Sequence, residues 1–529
     1  MAHGSSLEFG VEESRADAYR AAYGRLFPKL SAWAPTVPPG QDLDSYLHEI
    51  ADRRMVEPPA APVADEPPSD DPARTSGSTI PAAYTYFGQF IDHDITFDPA
   101  SQLMRRVDPR GIRNFRTPRL DLDSVYGRGP DDQPYLYDRD ATRMLIGQAA
   151  ELLFRDLPRN SLGRALIGDP RNDENAMVSQ LHLAFLLAHN TLVGRAEVLG
   201  METPFEAARD TLRCLYQYVA WHDYLGQVTN RDVHRQALQQ TEAAGGGRRW
   251  VLGLERLYSW ERQPFLPVEF SAAAYRFGHS MVRNEYRTNE IQGLNRFVPL
   301  FGRGGRGDLR GRTWLRQDNV IQWAWFLKMG LPRSRHQFPQ KARKIDTKLA
   351  PALAHVPVAD RRSNVLAYRN LRRGVDFCLP PGSAVAERCQ ALGITPIEFE
   401  RVPGEPDALW YYILREAEAG PDAGERLGPV GSAIVCAVFA SLLASDPDSY
   451  LNRDRFWSPN SDPLLFAGWD NTDGEKARAA DGESERSWTL ASIIRLSGLP
   501  IDGQDVDQES IGNYRQPALR RPAVAPPES

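Results

Sequence analysis

The stretch YTYFGQFIDHDITFDP, residues 84–99, sets Gln89, Asp92, His93 and Asp94 within six residues among aromatic and aliphatic neighbours. A core helix has no structural need for a histidine between two aspartates. At helical spacing Gln89 and His93 are i and i+4 and share a face, while Asp92 falls on a neighbouring edge. A buried imidazole beside a glutamine amide can move a proton. The plainer reading is an acidic helix C-terminus with a capping histidine. The segment reads as a helix starting at Pro81, with Ser78 or Thr79 as its cap.

The rest of the chain is ordinary globular material. Of 529 residues, 42% are apolar and 25% charged, enough for one large or two medium domains. A formal net charge of −6 gives no reason to expect binding to nucleic acid or to an anionic membrane surface. The first twenty residues lack the apolar core of a signal peptide, and no run of 18 apolar residues occurs. The expectation is no membrane span and a cytoplasmic protein, unless it is exported by a non-classical route. Cys214, Cys378, Cys389 and Cys436 have no CxxC spacing, so reduced thiols are expected rather than a zinc ribbon or disulfide framework.

Helical periodicity dominates, over 10–50, 140–156, 171–199, 204–226, 268–282, 318–329, 384–391 and 428–446. Strand-like alternation is scarce. The proline- and acid-rich stretch 56–81 is expected to be neither helix nor packed strand but a surface loop wrapping the body. The organisation read from this is an N-terminal arm and wrapping loop (1–81), one mainly α domain (82–510) and a disordered proline-rich tail (511–529). Such a domain exceeds the usual ~250–300-residue limit for one core, which an embedded cofactor would help to explain. The loop GRGGRGDLRGR (302–312) is read as flexible and solvated rather than as an RNA or adhesion motif.

Two further segments carry unusual chemistry. In AAYRFGHSMVRNEYR, Gly278 lets a bulky planar group approach the backbone beside His279, and Arg276 lies three residues earlier on the same helical face. A neutral imidazole in an apolar helix is a standard haem-iron ligand, although a packed core histidine looks the same. In GDPRNDEN, Arg171 and Glu174 share a face at the start of a long helix. They make either a first-turn salt bridge or a cation and a carboxylate with separate tasks.

Taken in order, FGQFIDHDITF, GDPRNDEN, YRFGHSMV and YRNLRRGVDFCLP resemble segments of the animal-type haem peroxidases, the peroxidase–cyclooxygenase superfamily, and most closely its bacterial members. The likeness runs from about residue 80 to 460. It implies a large helical haem peroxidase fold and haem b as cofactor. His93 would be the distal acid–base, Arg171 the cation that stabilises charge on the peroxide, and Gln89 a pocket residue holding water. His279 would ligate the iron, and Asn370 would accept a hydrogen bond from its other nitrogen. Asp92 and Glu174 match the carboxylates that form ester bonds to haem in many relatives. Asn175 stands where one mammalian relative has a methionine linked to haem, so no sulfonium bond is expected.

The resemblance also assigns a calcium ion to Asp94, Thr117, Asp121, Asp123 and the backbone carbonyl of Arg119. In TPRLDLDSVYG (117–127) these residues alternate, as an extended loop offering hard oxygen ligands would require. Relatives usually have serine at the Asp123 position. Without the resemblance this would be a plain exposed acidic loop. Fatty-acid oxygenases of the superfamily carry a tyrosine three residues before the iron ligand. Here that residue is Arg276, and Tyr275 is about 100° away around a helix. The implied activity is reduction of hydrogen peroxide with oxidation of halide, thiocyanate or phenolic donors. The alternatives are a fatty-acid dioxygenase, or a calcium-binding adhesion or matrix protein that has lost haem.

Overall fold

The computed structural model describes residues 23–57, 77–96, 118–148, 154–243, 246–261, 265–290, 297–302, 307–329, 339–357, 364–466 and 488–501. The helical patterning before residue 23, most of the proline-rich stretch, Thr117 and the 511–529 tail lie outside them. The main helices are α1 (Leu43–Ile50), α2 (Ala83–Ile95), α3 (Ala176–Val198), α4 (Pro204–Tyr218), α5 (Val268–Ala272), α6 (Leu366–Asp376), α7 (Gly382–Gln390), α8 (Leu409–Ala419), α9 (Pro429–Ser445) and α10 (Leu490–Ser497). Among the described residues, strands occur only as two-stranded ladders, so the architecture is mainly α.

α3 and α9 are buried on nearly every side and form the centre of the core. Helices that are apolar all round belong in such a position. By length and composition α3 could cross a membrane, but 89% of its apolar window is buried against the rest of the protein. Its first turn is fixed by Asn175, whose side chain accepts from the Val178 amide at 2.9 Å. An N-cap of this kind stabilises a helix by about 1 kcal/mol. One apolar cluster extends from Tyr23 through both helices to Leu499.

α2 packs on α3 through Phe90, stacked on Phe185 at 4.6 Å between centroids, with Tyr216 of α4 edge-on to both rings. Aromatic pairs of this sort add about 0.5–1.5 kcal/mol beyond the area they bury. Every residue of α2 is buried except Gln89, which is half-buried. The helix begins at Ala83 rather than Pro81. Ser78 and Thr79 do not cap it, because Gly77–Pro81 is a strand paired with Lys341–Arg343 and both side chains bond Glu425. The free amides of Ala82 and Ala83 reach the carbonyls of Gln340 and Phe326 instead. This strand also corrects the reading of 56–81 as loop throughout.

Four expected helices are broken. Of the 10–50 pattern only Leu43–Ile50 is α-helix among the described residues, and Tyr23–Gly24 pairs instead with Leu266–Pro267. The 140–156 pattern gives no helix among its described residues. Ala141 takes a left-handed φ of 55° and Asp138 accepts from the amides of Thr142 and Arg143, after which Gly147–Gln148 pairs with Arg155–Asp156. The 318–329 pattern becomes two short 3-10 turns, with the amides of Trp323 and Ala324 bonded to carbonyls of Pro500 and Ile501. The 268–282 pattern divides at Ala273 (φ −132°, ψ −73°) into α5 and a 3-10 turn, Ala274–His279.

The loop at 302–312 is also not solvated throughout. Leu309 is fully buried, and the segment pairs with the backbone of Asp173–Ala176 through Ala176 N to Leu309 O (2.8 Å) and Gly311 N to Glu174 O (3.0 Å). The four cysteines are unpaired, as expected.

Candidate active site

The three consecutive polar residues of α2 turn to three different partners. His93 is buried, with Nδ1 2.8 Å from Oδ1 of Asn172 and Nε2 3.9 Å from a carboxylate oxygen of Glu174. Burial and the Arg171 charge hold its pKa below the usual imidazole value, so the ring is a neutral base. Asp92 faces Arg276, with Oδ2 3.5 Å from Nη1. Burial works against its charge, but the Arg276 and Arg171 guanidinium groups help to outweigh it and the carboxyl is held below its usual range. Asp94 faces the 121–124 loop.

Gln89, one turn before His93, donates to Glu174 and accepts from the Asn175 amide at 3.1 Å. Gln89 and His93 thus share the face that Glu174 covers. Arg171 and Glu174 are not on the long helix. Arg171 lies in a 3-10 turn, Pro170–Asp173, which Glu174 ends, and Asn175 then caps α3. The turn is anchored underneath by Arg159, whose side chain is buried and bonds Asp156 and Asp173 at 2.7–3.2 Å. Arg171 forms its salt bridge with the fully buried Asp169 (2.8 Å) rather than with Glu174. Its Nη2 also donates to the carbonyls of His93 (2.9 Å) and Thr96 (2.6 Å), where a cation matches the negative end of α2.

His279 ends the 3-10 turn. In that geometry residues three apart eclipse, so Arg276 and His279 do share a face. The Arg276–Asp92 pair joins this turn to α2. Burial, then Arg276, pushes the His279 pKa down to about 3, so the imidazole is neutral and able to bind a metal. The Asn370 amide lies 2.7 Å from Nδ1, with its nitrogen as the nearer atom. Metal binding at Nε2 leaves a proton on Nδ1, and a half-turn of the amide presents the acceptor oxygen to it. Arg369 and Arg373, on the same helix as Asn370, add positive potential around His279.

These residues fit a haem. The imidazole is neutral, Nε2 points away from Asn370, and a Cβ built on the half-buried Gly278 beside it meets no atom within 4 Å beyond its chain neighbours, which leaves room for a planar group. Tyr275 is stacked on Phe270 at 4.9 Å.

Carboxylate oxygens of Asp94, Asp121 and Asp123 lie within 4.8 Å of one another. Burial and the Asp123 charge push Asp94 up to about 7, a load that a divalent cation would relieve. Asp94 also accepts from Leu122 N, Ser124 N and Oγ, and the Tyr216 hydroxyl. The loop is not uniformly extended. Leu122 takes a left-handed φ of 61° and Asp123 opens a one-turn helix, which is how both amides reach Asp94. Arg119 is half-buried, 3.9 Å from Asp446, and Thr117 lies outside the described residues.

Sequence reasoning missed Asn172, His182, Asp169 and, on α6, Arg369 and Arg373. Asn172 stands inside GDPRNDEN, beside the arginine that drew attention. His182 lies one residue short of three helical turns after it, in an apolar run that looks like core.

Residues 103–390 match the family model described as animal haem peroxidase. The match includes Arg171, Glu174, His279 and Asn370 and begins after α2. Thyroid peroxidase of Canis lupus familiaris is 25% identical over 67% of this chain and 39% of that protein. A peroxidase-like protein of Margaritifera margaritifera is 24% identical over 80% and 60%, respectively. The chain thus spans about two fifths of the length of thyroid peroxidase. Among solved structures, peroxidase A of Dictyostelium discoideum superposes with a TM-score of 0.52 at 15% identity, over 91% of this chain and 93% of that one. The fatty acid α-dioxygenase of Oryza sativa gives 0.56 at 13%, over 88% and 84%. At such identities these two show the fold. The family match covers more than half of the sequence, and the chain belongs to the animal haem peroxidase family.

Proposed function

We propose that the protein is a haem peroxidase that reduces hydrogen peroxide and oxidises small anions or phenols. The observation that carries this is the Arg276–Asp92 contact. It ties a turn bearing one neutral histidine, His279, to a helix bearing another, His93, with acids and amides around the second. Bound haem would supply an iron centre that passes two electrons to the peroxide bond. His279 would hold the iron through Nε2, with Asn370 on Nδ1. Arg276, Arg369 and Arg373 would offset the negative charge of the haem carboxylates.

His93 Nε2 would take the proton from the near oxygen of the peroxide and return it to the departing oxygen, which leaves as water. The Arg171 guanidinium would stabilise the charge developing there, while keeping the end of α2 in place. Gln89, held by Glu174 and Asn175, would orient a pocket water. Asp92 and Glu174 are proposed to form ester bonds to the haem. Calcium is proposed at Asp94, Asp121 and Asp123, with Thr117 and the Arg119 carbonyl completing the set. Residues 82–510 would form the catalytic domain, with arms on either side.

The test is the absorption spectrum of haem-loaded protein before and after equimolar hydrogen peroxide. The proposal expects a histidine-ligated Soret band that changes at once and recovers with bromide, thiocyanate or guaiacol. Absence of the band, or simple bleaching, would favour the haem-free calcium scaffold. Peroxide-dependent oxygenation of a fatty acid without turnover of those donors would favour the dioxygenase.

A further inference from the structure

We infer that Asn172 and His182 fix the tautomer of His93, acting as positioning residues for the proton transfer proposed above, on which this inference rests. The Asn172 amide lies between two buried imidazoles. Its Oδ1 is 2.8 Å from Nδ1 of His93, and its Nδ2 is 3.0 Å from Nδ1 of His182. One amide has one accepting and one donating end. The two histidines therefore hold opposite tautomers. Facing Oδ1, His93 carries its hydrogen on Nδ1 and keeps the Nε2 lone pair free on the Glu174 and Gln89 side. Facing Nδ2, His182 presents a lone pair on Nδ1.

His182 is fully buried on α3, with the ring of Phe90 edge-on at 6.2 Å. Phe90 is itself stacked on Phe185, so the ring that meets the amide is held in place by core packing from both α2 and α3. Asn172 stands in the turn that Arg159 anchors from below and that Arg171 ties to the end of α2. Reversing the amide would put hydrogen on Nε2 of His93, where it cannot accept a proton from an incoming ligand. The arrangement thus sets which way the distal base faces.

The experiment compares association of cyanide and of imidazole with haem-loaded wild type, Asn172→Leu, Asn172→Asp and His182→Leu, followed at the Soret band. Hydrogen cyanide must lose a proton to the distal base when it binds, whereas imidazole transfers none. Asn172→Leu removes the acceptor and should slow cyanide at least about tenfold while imidazole stays within about twofold. Asn172→Asp keeps an acceptor for Nδ1–H, with His182 changing tautomer to suit. It should restore cyanide association to within about threefold of wild type. His182→Leu lets the amide invert and should fall between the two. Unchanged cyanide association in Asn172→Leu overturns the inference. So does a parallel loss of imidazole binding, which marks a merely structural role. Should Asn172→Leu fail to take up haem, a tenfold loss in the near-isosteric Asn172→Asp overturns it as well. Neither ligand requires peroxide turnover. A wild type that binds both yet does not react with peroxide removes the proposed function and leaves this assignment standing.

Discussion

The side-chain amide of Asn370 lies 2.7 Å from Nδ1 of His279, across 91 residues of sequence. α6 and the 3-10 turn meet so that one polar contact sets the rear of the imidazole proposed to hold the iron. A partner of this kind orients a ligand and tunes its basicity, and its loss typically costs 10–100-fold in metal affinity or activity. Asn370→Asp should make the imidazole more basic and lower the Fe(III)/Fe(II) potential. Asn370→Leu should raise it and loosen haem. Spectroelectrochemical titration of the two variants reads both shifts, and equal potentials would remove Asn370 from the account.

Ester attachment is tested by extraction. Asp92→Val should leave haem bound but partly extractable into acidified organic solvent, and adding Glu174→Gln should release nearly all of it. Complete retention in the double variant would sink the ester assignment.

Calcium should stabilise the protein through Asp94, Asp121 and Asp123, and with them the α2 end that carries His93. At one hundred times Kd, binding to the folded state alone contributes about 2.7 kcal/mol. Chelation should lower the unfolding temperature, and calcium, not magnesium, should restore it. An Asp121→Ala, Asp123→Ala double variant should lose this response. A calcium-dependent transition that survives both substitutions would place the ion elsewhere.

Asp223 gives a pH dependence of stability with a definite sign. Burial pushes its carboxyl up to about 6, although Leu490 N, Tyr84 and Gln227 all donate to it. A carboxyl whose folded pKa lies above its unfolded value near 3.8 penalises the fold when ionised. That penalty fades as pH falls through 6 and is gone near 3.8. Between pH 7.5 and 5 the wild type should therefore gain on Asp223→Asn by about 1–2 kcal/mol. Urea unfolding at the two pH values measures the difference, and a gap that widens in the opposite direction would contradict it.

What the sequence revealed depended on how local each feature was. Gln89 and His93 share a face because 3.6-residue periodicity alone decides that. Arg276 and His279 also share one, because a 3-10 turn keeps positions three apart aligned even where the expected helix breaks at Ala273. Long-range contacts were not legible. Gly77–Pro81 looks like loop until Lys341–Arg343 is brought beside it. Leu309 looks solvated until the Asp173–Ala176 backbone pairs with its segment. Asn172 and His182 gain meaning only when α2, the 3-10 turn and α3 converge, since neither residue type nor spacing singles out an asparagine that two histidines share.

The most direct test of the whole account is the second-order rate of the Soret change with hydrogen peroxide in haem-loaded wild type and His93→Ala. A distal acid–base contributes about 10²–10⁴-fold, so the variant should be slower by at least about a hundredfold while its ferric spectrum still shows histidine ligation. A variant that reacts within a few-fold of wild type would show that His93 does not move the proton.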